Sequence, residues 1–483
     1  MSALNASQLR WSYFSTFSTA ALQMVAAITI TRFLQPRDYG LAAMAMLSYS
    51  LVGYFTQLGV SRVIVQKTDL TEGNIRAAFG LSLATGLGGF VILALLSPLL
   101  AWYFHESRLT PVILAFGLNL IFLSLGMVAS GLLRREFRIR ALAICDVLGY
   151  LLSTFGLGLP LAMHGFGVWA LVGSNVSQPL IATIAYFIAR PHSVVPSRHR
   201  ADYRHVFGYS AKASVTTTVE ALGGSMDTLV MGRMLQPSAL GMYNRSLTLS
   251  TLPSLNLSMG LTRVFQPTIA RAADRGREEC LHIYLAAERQ LMSLIFPFCA
   301  GAAVAAPVII PVLFGRQWTP AVPVYEVLCL VAALDASFHL PAIQLEILSL
   351  FRHKFMLQTA FAVCFGVGIA VAAPHGGTLA VAWVYAALQA VRTLGLHVLS
   401  ARSMRTGLGH LLRSWVPGLL CAAFVAAILA GAQHSRLHTL LPWPALQLAL
   451  LVALSGAALA GFYRVFYRAT VYESWRSLLR RQE

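Results

Sequence analysis

Arg32-Phe33-Leu34-Gln35-Pro36-Arg37-Asp38-Tyr39-Gly40 recurs 201 residues later as Arg233-Met234-Leu235-Gln236-Pro237-Ser238-Ala239-Leu240-Gly241. The same offset carries Gly59-Val60-Ser61-Arg62-Val63 onto Gly260-Leu261-Thr262-Arg263-Val264. In each copy an apolar stretch meets a Gln-Pro turn and continues into a second apolar stretch. Proline suits the first position of a helix and breaks its interior, so each Gln-Pro marks one helix ending and another beginning. A fixed-offset repeat inside hydrophobic sequence is the pattern of a duplicated membrane carrier.

Working outward, 57% of the 483 residues are hydrophobic and only 11% are charged, against about 25% charged in a soluble domain. A spanning helix needs roughly 20 apolar residues. That window predicts an all-α polytopic membrane protein with about 14 transmembrane helices. The spans fall near 11–33, 40–60, 77–98, 110–132, 141–163, 167–189, 206–231, 240–262, 286–313, 322–348, 355–373, 377–399, 412–431 and 445–466. The repeat lays the first six over the next six. Six is even, so two six-helix lobes enter the membrane in one orientation, a parallel repeat about an axis along the membrane normal. The predicted organisation is an N-terminal lobe (1–190), a basic linker (191–205), a C-terminal lobe (206–400), an appended helix pair (401–466) and a basic amphipathic tail (467–483).

The net charge of +18 invites a nucleic-acid reading, and its placement excludes one. With the N-terminus in the cytoplasm, clusters such as Arg134, Arg135, Arg138 and Arg140, or Arg190, Arg198, Arg200 and Arg204, fall inside. Only Arg32, Arg37, Arg108, Arg233, Arg316 and Arg436 fall outside. This is the positive-inside pattern, and it predicts cytoplasmic termini. The first apolar stretch keeps Thr16, Ser18, Thr19 and Gln23 and lacks a small-residue cleavage site, so it reads as a retained span. Six cysteines are scattered singly with no Cys/His cluster, so no metal site is predicted. Nucleotide-binding and serine-hydrolase motifs are absent, and the loops are too short for a catalytic module. The chain reads as a carrier without cofactors rather than an enzyme.

Polar residues concentrate in spans 1, 2, 7 and 8, which the repeat makes equivalent in pairs, and polar groups at membrane depth must face protein or a wet cavity. The candidate cavity residues are Gln23 and Gln57 in the first copy, and Lys212, Thr216, Asn244, Arg245 and Asn256 in the second. Lys212, Thr216, Glu220 and Asp227 follow helical spacing and form one stripe. Glu220 and Asp227 are candidate cation- or proton-coupling groups, and Lys212 and Arg245 candidate contacts for an anion; an interlobe ion-pair network accounts for the same stripe. Arg32 and Arg233 stand where a cation suits a helix C-terminus. Pro36, Pro237 and Pro253 are the structural or gating positions. Asp146 and Glu346 fall near membrane boundaries, Asp335 lies nearer mid-span, and Arg392 reads as a cavity cation or a snorkelling one.

The run Met226–Arg245 (M-D-T-L-V-M-G-R-M-L-Q-P-S-A-L-G-M-Y-N-R), then Leu252-Pro253 and Val264–Arg271, resembles the second-half signature of polysaccharide flippases. Arg32–Leu41 and Leu58–Lys67 resemble the first-half signature. Both are similar to the Wzx-type branch of the multidrug/oligosaccharidyl-lipid/polysaccharide exporter superfamily. The resemblance implies a V-shaped bundle of two lobes around a cationic cavity lined by helices 1, 2, 7 and 8. It implies a polyprenyl-diphosphate-linked oligosaccharide as cargo, moved across the bacterial inner membrane among membrane lipids, with polysaccharide polymerase and export machinery as neighbours. Met44 and Trp11 occupy the positions equivalent to Arg245 and Lys212, so the charge is asymmetric between copies. Other readings left open are a drug/cation antiporter, a peptidoglycan-precursor flippase and a polytopic polymerase.

Overall fold

The computed structural model describes residues 22–56, 64–65, 70–197, 199, 203, 226–348, 350–435 and 444–466. Among the described residues all regular structure is helical. The chain divides into two compact units, Met1–Gly241 and Met242–Glu483.

In the first unit, α1 (Leu22–Phe33) runs into the Gln35-Pro36 corner and α2 (Pro36–Thr56). Pro36 takes the first helical position, and Asp38 accepts from the Gln35 backbone N–H at 3.0 Å, the return half of a capping box. Next come α3 (Glu72–Tyr103), α4 (Leu109–Arg135), α5 (Ile139–Met163) and α6 (Val168–Ala189). Within α5, Leu152–Gly158 winds as a π-helix. The central α4 packs against α2, α3 and α6. Lipid offers no hydrophobic reward for helix association, so small residues and hydroxyls make these contacts. Gly126 of α4 faces Thr183 of α6, whose hydroxyl donates to the Phe122 carbonyl at 2.9 Å. The outer face of α3 exposes Val91, Ile92, Leu95 and Leu99, the lipid-facing surface its apolar sequence predicts. After α6, α7 (Met226–Met234) leads to the second Gln-Pro corner and the start of α8 (Pro237–Arg275).

The two corners meet. A Cβ on Gly40 would lie 1.8 Å from the Pro237 carbonyl oxygen, and one on Gly241 would lie 1.8 Å from that of Pro36. Both contacts fall within the first unit. The repeated glycine is therefore fixed by a reciprocal backbone crossing, each copy of the corner resting on the other.

In the second unit, α9 (Arg277–Val304) ends in a 75° bend into α10 (Ala306–Phe314), where a single span over 286–313 is predicted. Then follow α11 (Val322–Ile347), α12 (Phe351–Ser403), α13 (Val416–His434) and α14 (Pro444–Phe466). At 53 residues, α12 would be about 80 Å long, far more than a 30 Å hydrocarbon core accepts. Gly377, with φ of 59°, breaks it into two passes. These fold back on each other: Gly368 meets Val384, and the Phe365 and Tyr385 rings lie 4.6 Å apart. Here α9 packs against α11 and α13, and α11 against α12.

Eight helices among the described residues are long and apolar enough to cross a membrane, and the α9–α10 pair meets the same test as one bent span. Much of predicted spans 1 and 7 lies outside the described residues.

Candidate functional site

The second unit places its polar side chains on one face of α12. Gln389, Thr393, His397 and Ser400 follow at steps of four, four and three, and all four are fully buried. A charge at membrane depth costs roughly 2.5–3.5 kcal/mol on insertion scales, so each such group needs a partner. Arg392 donates to Asp335 of α11 at 2.7 Å and to Gln358 at 3.3 Å. Its guanidinium lies 4.2 Å and 4.3 Å from the ring centroids of Phe338 and Phe361, a two-sided cation–π clamp. Gln389 donates to the same Asp335 oxygen at 3.0 Å, and the Thr393 hydroxyl donates to the Leu334 carbonyl at 3.1 Å.

Farther along that face, His397 meets Glu288 of α9. Both side chains are wholly buried, with Nε2 of the histidine 3.2 Å from Oε1 of the carboxyl. The Trp415 indole N–H, in the turn Arg413–Trp415 before α13, donates to the same oxygen at 2.9 Å. The Trp415 ring stands edge-on to His397 at 5.0 Å and to Phe296 at 5.6 Å. Beyond them the Ser400 hydroxyl donates to the Gln344 side-chain oxygen Oε1, and the Gln344 side-chain NH2 donates to Ser403 Oγ at 3.1 Å. Charge and hydrogen bonding thus tie α9, α11, α12 and the 413–415 turn into one network.

Of the residues singled out in the sequence, Lys212, Thr216, Glu220 and Gln57 lie outside the described residues. Arg245 is half-buried on α8 with its guanidinium 5.5 Å from the Phe314 ring, and the neighbouring Asn244 carbonyl accepts from Thr248 at 2.7 Å. Asn256 on α8 and Gln23 on α1 are exposed, and Pro253 sits inside an unbroken α8. Asp227 is buried in the first turn of α7, accepting from the Thr228 N–H at 2.6 Å and its hydroxyl at 3.3 Å. Arg32 is exposed in the last turn of α1. Arg233 reaches out of α7 to the C-terminus of α3, donating to the Tyr103 carbonyl at 2.6 Å and meeting His105 Nδ1 at 2.7 Å. A cation there answers the dipole of α3, a helix other than its own.

Glu288, His397 and Trp415 are absent from the sequence reading. The window that set a span at 286–313 put Glu288 at its edge, where a charge is unremarkable. The helix starts at Arg277 instead, which carries Glu288 three turns inside. The buried row on α12 was a legible signal, since Gln389, Thr393 and His397 already repeat at helical spacing. Asp335, read as mid-span, and Arg392, read as a cavity or snorkelling cation, are partners.

The described structure and sequence resemble known proteins along most of the chain. The family described as "Polysaccharide biosynthesis protein" matches residues 29–323. Teichuronic acid biosynthesis protein TuaB of Bacillus subtilis (strain 168) is 24% identical over 98% of this chain and 97% of that protein. Lipopolysaccharide biosynthesis protein WzxC of Escherichia coli (strain K12) is 23% identical over 67% of this chain and 66% of its own length. Among solved structures, lipid II flippase MurJ in an inward closed conformation superposes with a TM-score of 0.75. It covers 96% of this chain and 100% of that one at 11% identity. An inward-facing MATE-family multidrug transporter reaches 0.57, covering 81% and 95% at 13% identity. At these identities the structural matches speak to fold alone. The chain is a multi-pass membrane protein.

Proposed function

The chain belongs to the polysaccharide biosynthesis protein family, and on that premise we propose that it is a flippase for a lipid-linked oligosaccharide. The cargo is an undecaprenyl-diphosphate-linked repeat unit, moved by alternating access from the inner to the outer leaflet of the bacterial cytoplasmic membrane, with both termini cytoplasmic. Family membership over more than half of the chain carries this reading. The chemistry of the chain supports it. A diphosphate calls for cations, and Arg245 on α8, with Lys212 in the second copy of the repeat, are the candidates to supply them. Sugars call for hydroxyl and amide partners, which α8 offers at Asn244, Thr248, Ser250, Thr251 and Asn256. The polyprenyl tail has the exposed apolar surfaces of helices such as α3 and α14 to run along. Glu220 and Asp227 remain coupling candidates in this scheme.

The test is a strain lacking the gene, with membrane lipids extracted and lipid-linked oligosaccharide measured alongside surface polysaccharide. Complete repeat units accumulating on lipid while surface polymer disappears is the expected result, and Arg245→Ala and Lys212→Ala should fail to restore export. Normal polymer and unchanged lipid-linked sugar, with new sensitivity to cationic drugs, would overturn the proposal in favour of a drug antiporter.

A further inference from the structure

We infer that Glu288 and His397 form a proton-binding site inside the second unit, monitored by Trp415 and loaded from the α12 C-terminal end. The inference rests on the carrier reading only for what the proton drives; the site itself follows from geometry.

His397 Nδ1 lies 2.8 Å from the Thr393 carbonyl. A carbonyl only accepts, so Nδ1 carries the hydrogen. In the neutral ring Nε2 is then a bare lone pair, and it faces Glu288 Oε1 at 3.2 Å. A lone pair against a carboxylate oxygen repels. The contact therefore requires one proton between them, as Glu288–OH to neutral His397 or as imidazolium to carboxylate. Glu288 Oε2 has no hydrogen-bond partner among the described residues. Removing the shared proton would leave a wholly buried carboxylate held by the Trp415 N–H alone. Such a state is costly enough to demand water or movement of the helices, and that demand couples proton release to conformation.

Two facing rows lead to the pair. On α9, Cys280, Tyr284 and Glu288 follow at steps of four, about 12 Å in all. On α12, Ser403, Ser400 and His397 follow at steps of three, bridged by Gln344. Both rows begin at a cavity of about 380 Å³ whose lining includes Arg277, Cys280, Arg402, Ser403 and Arg405. Loading moves one proton from hydronium in that cavity to the pair, leaving water behind. The titratable and charged groups around Glu288 are few. Its own helix offers Tyr284 and Arg289, and α12 offers His397. The turn before α13 holds exposed Arg413, and α13 holds Cys421. From α11, Asp335 is engaged by Arg392, and His339 lies among Asp335, Arg392 and Lys354. None of the residues of α10 is titratable.

The test uses the full chain in detergent micelles, followed by pH-difference infrared spectroscopy. The expected result is a pH-dependent carboxyl or imidazole difference band that appears in the wild type and in Asp335→Asn and is lost in Glu288→Gln. This amide is nearly isosteric and keeps an oxygen for the Trp415 N–H, so it should fold; unchanged thermal melting checks that. His397→Gln should remove the imidazole part of the pH-difference signal, and the pH-dependent tryptophan emission should disappear in Trp415→Phe. An unaltered band in Glu288→Gln overturns the site. In proteoliposomes carrying undecaprenyl diphosphate with a labelled sugar, a one-unit pH gradient should speed wild-type flipping by up to about tenfold for one proton and leave Glu288→Gln unaffected. Flipping that ignores the gradient in both proteins overturns the coupling and spares the flippase reading. A titrating band with no flipping at all sinks the flippase reading and spares the proton site.

Discussion

In the first unit the buried hydroxyls of Ser48, Ser82, Ser97 and Ser124 donate to carbonyls three or four residues back on their own helices. In the second unit Arg392 reaches Asp335 across 57 residues of chain, Glu288 meets His397 across 109, and Trp415 meets Glu288 across 127. Back-bonded hydroxyls are satisfied without help from a neighbouring helix, so helices carrying them can slide or separate at little electrostatic cost. Long-range charge pairs satisfy one another only while their helices stay in register. The two corners share one backbone plan, while these particular buried bonds stay within one helix in the first unit and join different helices in the second. On the proposal above, movement of the second unit's helices is tied to the Glu288–His397 proton or to rearrangement of the Arg392–Asp335 pair.

What the copies share should be the most fragile. Gly40→Val and Gly241→Val each drive a side chain into the carbonyl of the opposite corner, and backbone cannot yield as a side-chain tip can. Both should abolish recovery of monodisperse protein from detergent, well beyond the roughly 1–3 kcal/mol of ordinary overpacking. If only one fails, the crossing is not the reciprocal contact described here. The next largest effect separates the interiors. Arg392→Ala leaves half-buried Asp335 with only the Gln389 amide among the described residues and should cost about 1.5–3 kcal/mol, as losing a charged hydrogen bond does. Ser124→Ala in the first unit should cost about 1 kcal/mol or less. Thermal melting of the two variants in one detergent checks the contrast; equal shifts would erase it.

How much of this was legible in the sequence divides the same way. The corners were, because Gln-Pro and the glycine four residues on are local signals repeated at one offset. Lipid-facing α3 was, because its apolar run is long. The Arg392–Asp335 and Glu288–His397 pairs were not, because tertiary packing alone brings their helices together and nothing in linear spacing announces the match. Glu288 was further masked by the hydropathy window, which started a span nine residues after the helix begins. The bend between α9 and α10 was missed for a related reason. Ala305 joins two apolar helices, so hydropathy runs on where the backbone turns. Arg233 was read as a C-terminal cation, and the helix it serves, α3, required coordinates.

Smaller effects sharpen the corners. Arg233→Ala removes the donor to the Tyr103 carbonyl and the charge at the α3 C-terminus and should cost about 1–3 kcal/mol. Arg32→Ala, at the matched but exposed position, should cost less. A melt in which Arg32→Ala is the worse variant would reverse the assigned asymmetry.

The smallest test lies at the third helical position of each corner. In the first copy Asp38 accepts the Gln35 backbone N–H, closing that helix start. In the second copy the matched residue is Ala239, which has no acceptor to offer Gln236. Asp38→Ala should therefore lose about 0.5–2 kcal/mol, the range of a lost N-terminal cap. Ala239→Asp should gain a few tenths to about 1 kcal/mol, since a carboxylate there also faces the positive end of α8. Melting temperatures moving in opposite directions would mean that the second corner lacks only the acid. If Ala239→Asp instead destabilises, the pocket around the half-buried Ala239 does not admit a charge. The corners would then have diverged in packing as well as in capping, while still crossing through the same pair of glycines.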